Sequence, residues 1–97
     1  MEGQSLDIIR NEIDNIDKTI VELMEKRFKL VTEVGEYKLS HDMPVFDEER
    51  EQKVIDKYKG YLKDRSYDEY IEEICIDIME VSKKIQKKEV FKEKSLG

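Results

Sequence analysis

Apolar residues recur at alternating steps of three and four along the first forty residues of the chain. They are Leu6, Ile9, Ile13, Ile16, Ile20, Leu23, Leu30 and Val34. This spacing is typical of an α-helix that packs one narrow stripe against another surface. Ser5 can cap the first turn, Asp7 places a negative charge there, and no proline interrupts the stretch. The pattern therefore predicts a first helix over about residues 5–40.

This helix is long for a chain of 97 residues. Roughly thirty-six helical residues span about 54 Å, whereas a compact globule of this size is about 30–35 Å across. The stripe therefore extends beyond any globule that the chain could form alone. Because two copies related by a two-fold axis would cover it, we expect a homodimer.

A short loop containing Pro44 separates the first helix from a second one, since proline cannot continue a helix. Asp47 is a suitable N-cap for the second helix. Its apolar stripe comprises Val54, Ile55, Tyr58, Tyr61 and Leu62. We predict this helix over about residues 47–62, where either Gly60 ends it or it continues to about Asp64.

A third helix is predicted over about residues 67–87. Ser66 and Glu69 have the spacing of a capping box at its start. The expected core stripe is Tyr70, Ile71, Ile74, Ile78, Val81 and Ile85, and a neighbouring stripe is Cys75, Met79, Ser82 and Gln86. We expect residues 1–4 and 88–97 to be loose ends. No segment alternates like a strand, so the predicted fold class is all-α: one domain over residues 1–97, three helices per chain, in an intertwined homodimeric helical bundle.

Composition narrows the classes of partner. Charged residues make up 43% of the chain and apolar residues 38%, and the formal net charge is −6. A negative chain is a poor match for nucleic acid or an anionic membrane. No apolar run is long enough to cross a bilayer, and no signal-peptide pattern follows Met1.

Cys75 is the one cysteine and lies in an apolar stripe, so we expect a core thiol and a cytoplasmic protein. His41 is the one histidine, which excludes a site of several histidines.

Several polar residues fall on the predicted inward faces of the helices. They are Arg27, Lys38, Arg50, Glu51, Ser82 and Gln86. A buried cation is costly unless it meets an anion, and short loops make the three helices neighbours. The set therefore predicts one cationic cleft for a small dianion that also carries a hydroxyl group. Arg10 lies about 26 Å from Arg27 along the helix, so it could join this cleft only from a partner chain.

The chain resembles the all-α class of chorismate mutases over almost its whole length. The resemblance is carried by Leu6 to Arg10, Glu25 to Arg27, Glu33 to Lys38, Pro44 to Glu51, Ser82 and Gln86. It implies an intertwined dimer with two identical sites, each of which takes Arg10 from the partner. Lys83 departs from the family pattern, since an apolar pocket residue is expected beside Ser82.

The resemblance also implies a role for each site residue. Arg10 and Arg27 would bind the substrate carboxylates, and Lys38 would contact a carboxylate and the ether oxygen. Gln86 would donate to the same ether oxygen. Glu51, with the Asp47 region, would hold the ring hydroxyl group. The remaining residues would give supporting contacts or line the ring: Arg50, Ser82, Val34 and Met79.

The implied reaction is the Claisen rearrangement of chorismate to prephenate, a step of phenylalanine and tyrosine biosynthesis. It needs no metal and no redox cofactor, so we expect no cofactor. Because Gln86 is a neutral amide and donates at any ordinary pH, we expect no acidic pH optimum. Two alternatives remain open: an isochorismate-pyruvate lyase of the same fold, and a non-catalytic helical dimerisation or regulatory module.

Overall fold

The computed structural model describes residues 5–92. Within this range the chain forms three α-helices and no strand: α1 (Leu6–Ser40), α2 (Glu48–Tyr61) and α3 (Asp68–Ile85). A 3₁₀ turn, Arg65–Tyr67, precedes α3, and a π-helical turn, Gln86–Val90, follows it. The all-α prediction with a very long first helix is confirmed. The end segments 1–4 and 93–97, expected to be loose, lie outside the described residues.

Side-chain caps begin the first two helices, as the sequence indicates. The Ile8 amide donates to Ser5 Oγ over 3.3 Å, and the Arg50 amide donates to Asp47 Oδ1 over 3.0 Å. At the other end of α2 the Leu62 amide donates to a carbonyl in the last turn, and Leu62 itself is extended. The second helix therefore ends at Tyr61, between the two alternatives that the sequence left open.

The end of α1 is a Schellman motif. The Met43 amide donates to the Lys38 carbonyl over 2.8 Å, and the Asp42 amide donates to the Leu39 carbonyl over 3.5 Å. Asp42 has a φ of 55°, in the left-handed region that this motif requires. Pro44 follows two residues later and prevents helical continuation. The Lys38 and Leu39 carbonyls in the last turn of α1 therefore have hydrogen-bond donors.

The predicted capping box at the start of α3 is wrong. Asp64 Oδ1 instead accepts hydrogen bonds from the Ser66 amide over 2.9 Å and from the Ser66 hydroxyl over 2.6 Å. These two bonds lower the pKa of Asp64, the hydroxyl more than the amide. Ser66 is thus engaged by an earlier acid, and Tyr67 takes the N-cap position of α3 without a side-chain cap bond.

The chain divides into two compact units, Met1–Leu30 and Val31–Gly97. In the first unit the apolar stripe of α1 is exposed, with Ile16 at 59% and Leu23 at 57%. Among residues 5–30 the half-buried ones are Met24, Arg27 and Phe28. No helix of the described chain has the length and apolar character needed to cross a membrane.

The second unit holds the core. Here α2 packs along α3 around Val54, Cys75 and Met79, and Ile55 and Tyr58 lie against them partly buried. Cys75 has no exposed surface, which agrees with its expected place in the core. Burial of these apolar groups provides the main stabilisation of the helix pair.

In the single chain, α2 covers the neighbouring stripe of α3, in which Cys75 and Met79 are buried. Half of the predicted core stripe is half-buried, namely Ile71, Ile78 and Ile85. The other half is more exposed: Tyr70, Ile74 and Val81 are 63%, 52% and 40% exposed. Residues 88–90, expected to fray, form part of the π-helical turn.

Candidate active site

One face of α1 in the second unit receives the end of α3. Val31, Gly35 and Lys38 follow steps of four and three, so they lie on the same side of the helix. Gln86, only 6% exposed, donates from Nε2 to the Val31 carbonyl over 3.0 Å. Gly35 is buried, and a Cβ built there would lie 3.0 Å from Gln86 Cγ. The missing side chain of Gly35 therefore lets Gln86 approach α1 closely.

Lys38 lies one helical turn beyond Gly35 and is held by the loop that follows α1. Its Nζ donates to the Val45 carbonyl over 2.8 Å. Val45 is buried and Lys38 is half-buried. A main-chain carbonyl thus anchors each of the two groups predicted to contact the ether oxygen, Lys38 and Gln86.

Glu51 is paired with Lys83 rather than solvated. Lys83 Nζ lies 3.0 Å from Glu51 Oε2 and 2.8 Å from Glu80 Oε1. The same ammonium stands 4.8 Å from the centroid of the Phe46 ring. Hydrogen bonds to Glu80 and then to Glu51 raise the pKa of Lys83 against the opposing effect of burial, and Lys83 in turn lowers the pKa of Glu80. Lys83 is therefore a stable cation at neutral pH.

The other predicted site residues of this unit differ in exposure. Ser82 is half-buried and donates its hydroxyl to the Ile78 carbonyl over 2.8 Å, while Met79 is buried in the core. Val34 is 48% exposed. Asp47 and Arg50 are exposed at the start of α2, where Asp47 serves as the cap.

Within the second unit, Gln86 of α3 reaches α1 at Val31, Glu51 of α2 pairs with Lys83 of α3, and Lys38 bonds to the loop that follows α1. Arg10 and Arg27 belong to the first unit, where Arg10 is exposed and Arg27 is half-buried. Among the described residues no group of three or more histidine, cysteine, aspartate or glutamate side chains could hold a metal ion.

Sequence reasoning missed the anchors of these groups. The carbonyls of Val31 and Val45 carry no side-chain signal, so no pattern could have revealed them. The ion pair of Lys83 with Glu51 was also missed, although Lys83 stood out as a charge at an expected apolar position. Gly35 gave a partial signal, because an unexplained glycine inside a helix indicates either a close approach or simple tolerance. The structure shows the close approach.

Chemically, this arrangement offers an ammonium and a neutral amide as fixed donors, with a carboxylate held by a second ammonium. Two fixed donors of this kind can stabilise negative charge that develops on an oxygen atom. A carboxylate can accept from a hydroxyl group.

Comparison with known proteins identifies the family. The chorismate mutase type II family matches residues 9–87. The bifunctional chorismate mutase/prephenate dehydratase of Buchnera aphidicola subsp. Schizaphis graminum is 40% identical over 80 residues, which cover 81% of this chain and 21% of that protein. The T-protein of Haemophilus influenzae is 40% identical over 48 residues, which cover 50% of this chain and 13% of that protein. This chain therefore spans about a fifth or less of the length of these two relatives.

A shorter relative matches over more of its own length. The chorismate mutase of Methanocaldococcus jannaschii is 36% identical over 63 residues, which cover 65% of this chain and 64% of that protein. No solved structure gives a significant match. With most of its length matched by the family and its helices as the resemblance predicts, the chain belongs to the chorismate mutase type II family.

Proposed function

We propose that this chain catalyses the rearrangement of chorismate to prephenate in aromatic amino acid biosynthesis. The observation that carries the proposal is the anchoring of Lys38 and Gln86 by the Val45 and Val31 carbonyls. An ammonium has three N–H donors and a side-chain amide has two. Each group therefore keeps donor capacity for a ligand after its anchoring bond is made.

These donors suit the charge that develops in the reaction. As the carbon–oxygen bond of chorismate breaks, negative charge grows on the ether oxygen, and no proton transfer or nucleophile is needed. Donors fixed in advance bind the transition state more tightly than the ground state and need no reorganisation. A cage of cations would also hold the enolpyruvyl arm folded over the ring, which lowers the entropic cost of the step.

The remaining contacts of the proposal come from the resemblance. Arg27 and the partner subunit's Arg10 bind the two carboxylates, and Lys38 shares one of them. Glu51, with Asp47 nearby in sequence, accepts from the ring hydroxyl group. The supporting and ring-lining residues are Arg50, Ser82, Val34 and Met79. No cofactor takes part.

A homodimer with shared sites is part of the same proposal. The exposed apolar stripe of α1 and the exposed residues Tyr70, Ile74 and Val81 of α3 support it, because such surface is favoured where a second copy covers it. A cytoplasmic location remains a prediction from the composition.

The direct test is a spectrophotometric assay of chorismate loss by the purified protein, with prephenate identified as the product. Lys38→Ala should reduce kcat/KM by roughly 100-fold or more, as expected for loss of one transition-state donor. Formation of salicylate and pyruvate from isochorismate, without prephenate from chorismate, would instead favour the lyase. If the protein converts neither chorismate nor isochorismate, the result would favour the non-catalytic dimerisation or regulatory module.

The shared site has a separate test. Arg10→Ala and Arg27→Ala protomers, each inactive alone, are mixed and allowed to exchange subunits. If each site combines the two arginines from different chains, a mixed dimer contains one intact site and activity returns. No recovery, with mixed dimers demonstrated by mass, would refute the contribution of Arg10 from the partner.

A further inference from the structure

Lys83 is the position at which the chain departs from the family pattern. Its ammonium contacts Glu51, Glu80 and the ring of Phe46. Its side chain is 18% exposed, and that of its partner Glu51 is 23% exposed. Exposed ion pairs contribute little because water screens them and side-chain entropy opposes them. This pair is mostly shielded and has additional partners in Glu80 and Phe46. Its geometry is therefore restrained more strongly than that of an ordinary surface pair.

The contacts of Lys83 join three parts of the second unit. Lys83 is on α3, Glu51 is in the first turns of α2, and Phe46 is in the loop between α1 and α2. Within α3, Glu80 lies three residues before Lys83 on the same side of the helix and forms a second ion pair with its ammonium. An ammonium held by Glu80 and Phe46 gives Glu51 a fixed partner.

The pairing leaves part of Glu51 available. The contact uses Oε2, and an ionised carboxylate has about four acceptor positions over its two oxygens. Oε1 can then accept from a ligand hydroxyl while Oε2 stays on Lys83. A fixed carboxylate loses less conformational entropy when it binds than a mobile one does.

We propose that Lys83 is a positioning residue that orients Glu51 toward the hydroxyl group of the substrate, and so sets the preference of the site for a hydroxyl-bearing dianion. This inference rests on the proposed function. Lys83 acts through Glu51, and its effect should appear mainly in substrate binding, because the hydroxyl group is not a reacting atom.

The test compares the unmodified chain with Lys83→Met, which retains much of the apolar stem but removes the charge. Lys83→Met should lower kcat/KM for chorismate about tenfold, mostly through a higher KM, as expected for a hydrogen bond to a charged group. Lys83→Arg should keep activity within about threefold, since a guanidinium can hold the same carboxylate. Lys84→Met is the matched control: Lys84 is exposed on the next position of α3 and should tolerate the change.

Two further measurements separate positioning from a general structural role. The double variant Lys83→Met/Glu51→Gln should have a kcat/KM close to that of Glu51→Gln alone, because both substitutions remove the same interaction between Lys83 and Glu51. A chorismate analogue with hydrogen in place of the ring hydroxyl should lose no affinity in Lys83→Met. Thermal melts check folding, and Lys83→Gln replaces Lys83→Met in every comparison if the latter does not fold.

The outcomes that overturn the proposal are distinct from failure of the proposed function. Unchanged kcat/KM in Lys83→Met, additive effects in the double variant, or equal loss of affinity for the analogue would each refute positioning by Lys83 while the wild-type protein remains a mutase. If the wild-type protein itself converts no chorismate, the proposed function fails and this inference fails with it.

Discussion

Gly35 and Gln86 lie so close that a Cβ at position 35 would be 3.0 Å from Gln86 Cγ and 3.4 Å from its Cβ. Gly35 lies inside α1, five residues before the helix ends at Ser40, and glycine inside a helix costs about 1 kcal/mol relative to alanine. At the same place Gln86 donates to the Val31 carbonyl, one turn before Gly35. The glycine therefore permits the contact that positions the proposed amide donor.

Gly35→Ala should reduce activity by displacing Gln86. The gain of about 1 kcal/mol in helix propensity is offset by overpacking of about 1–3 kcal/mol, so the free energy of unfolding should stay the same or fall. Gly60→Ala is the matched control, because a Cβ at Gly60 would meet nothing within 4 Å. It should raise the free energy of unfolding by about 0.5–1 kcal/mol and leave kcat unchanged. Denaturant melts and chorismate assays on both variants check this; full activity in Gly35→Ala would contradict the positioning argument.

Gln86→Glu should make activity dependent on pH. The amide donates at any ordinary pH, whereas a carboxylic acid donates only when it is protonated. Burial at this position would raise the pKa of the new carboxyl group above about 4.3. Activity and stability should therefore be greatest at low pH and be lost as the pH rises through that raised pKa. Rate profiles from pH 4 to 9 check this, and wild-type activity that rises sharply below pH 5 would contradict the role of Gln86.

Asp47→Ala should destabilise the start of α2. The Asp47 carboxylate accepts from the Arg50 amide, and loss of such a cap costs about 1 kcal/mol. Asp47→Asn is the matched control, since asparagine caps equally well but carries no charge. If Asp47 also helps to hold the ring hydroxyl through its charge, Asp47→Asn should keep the stability and raise KM. Urea melts with steady-state kinetics separate the two roles; an unchanged KM in Asp47→Asn would limit Asp47 to capping.

Ile16→Asp should disrupt the proposed dimer. Ile16 lies in the apolar stripe of α1 and is 59% exposed in the single chain, so a carboxylate there would be buried without a partner if a second copy covers the stripe. Thr19→Asp is the matched control, because Thr19 is exposed and outside the stripe. Sedimentation or light scattering should show a lower mass for Ile16→Asp but not for Thr19→Asp. The chorismate assay should show lost activity for Ile16→Asp and retained activity for Thr19→Asp. Equal masses for the two variants would exclude the stripe from the interface.

The amino-acid sequence determined the helices, because their signals are local. The three- and four-residue spacing predicted α1, Asp47 predicted the cap of α2, and Pro44 predicted the break between them. Residue type and order were also enough to indicate the family and the candidate site residues. The local signal failed at Ser66, because its hydroxyl group donates to Asp64 instead of capping α3.

The tertiary structure decided which groups meet. Two stripes of α3 were apolar, and the packing of α2 in the single chain covers the one that contains Cys75 and Met79. The carbonyls of Val31 and Val45 anchor Gln86 and Lys38, and Glu51 pairs with Lys83 thirty-two positions away along the chain. Backbone carbonyls are the same at every residue, and an ion pair between helices depends on their packing. The sequence therefore determined where the helices form, and the packing of the helices determined which donors are held in place and which carboxylate is paired.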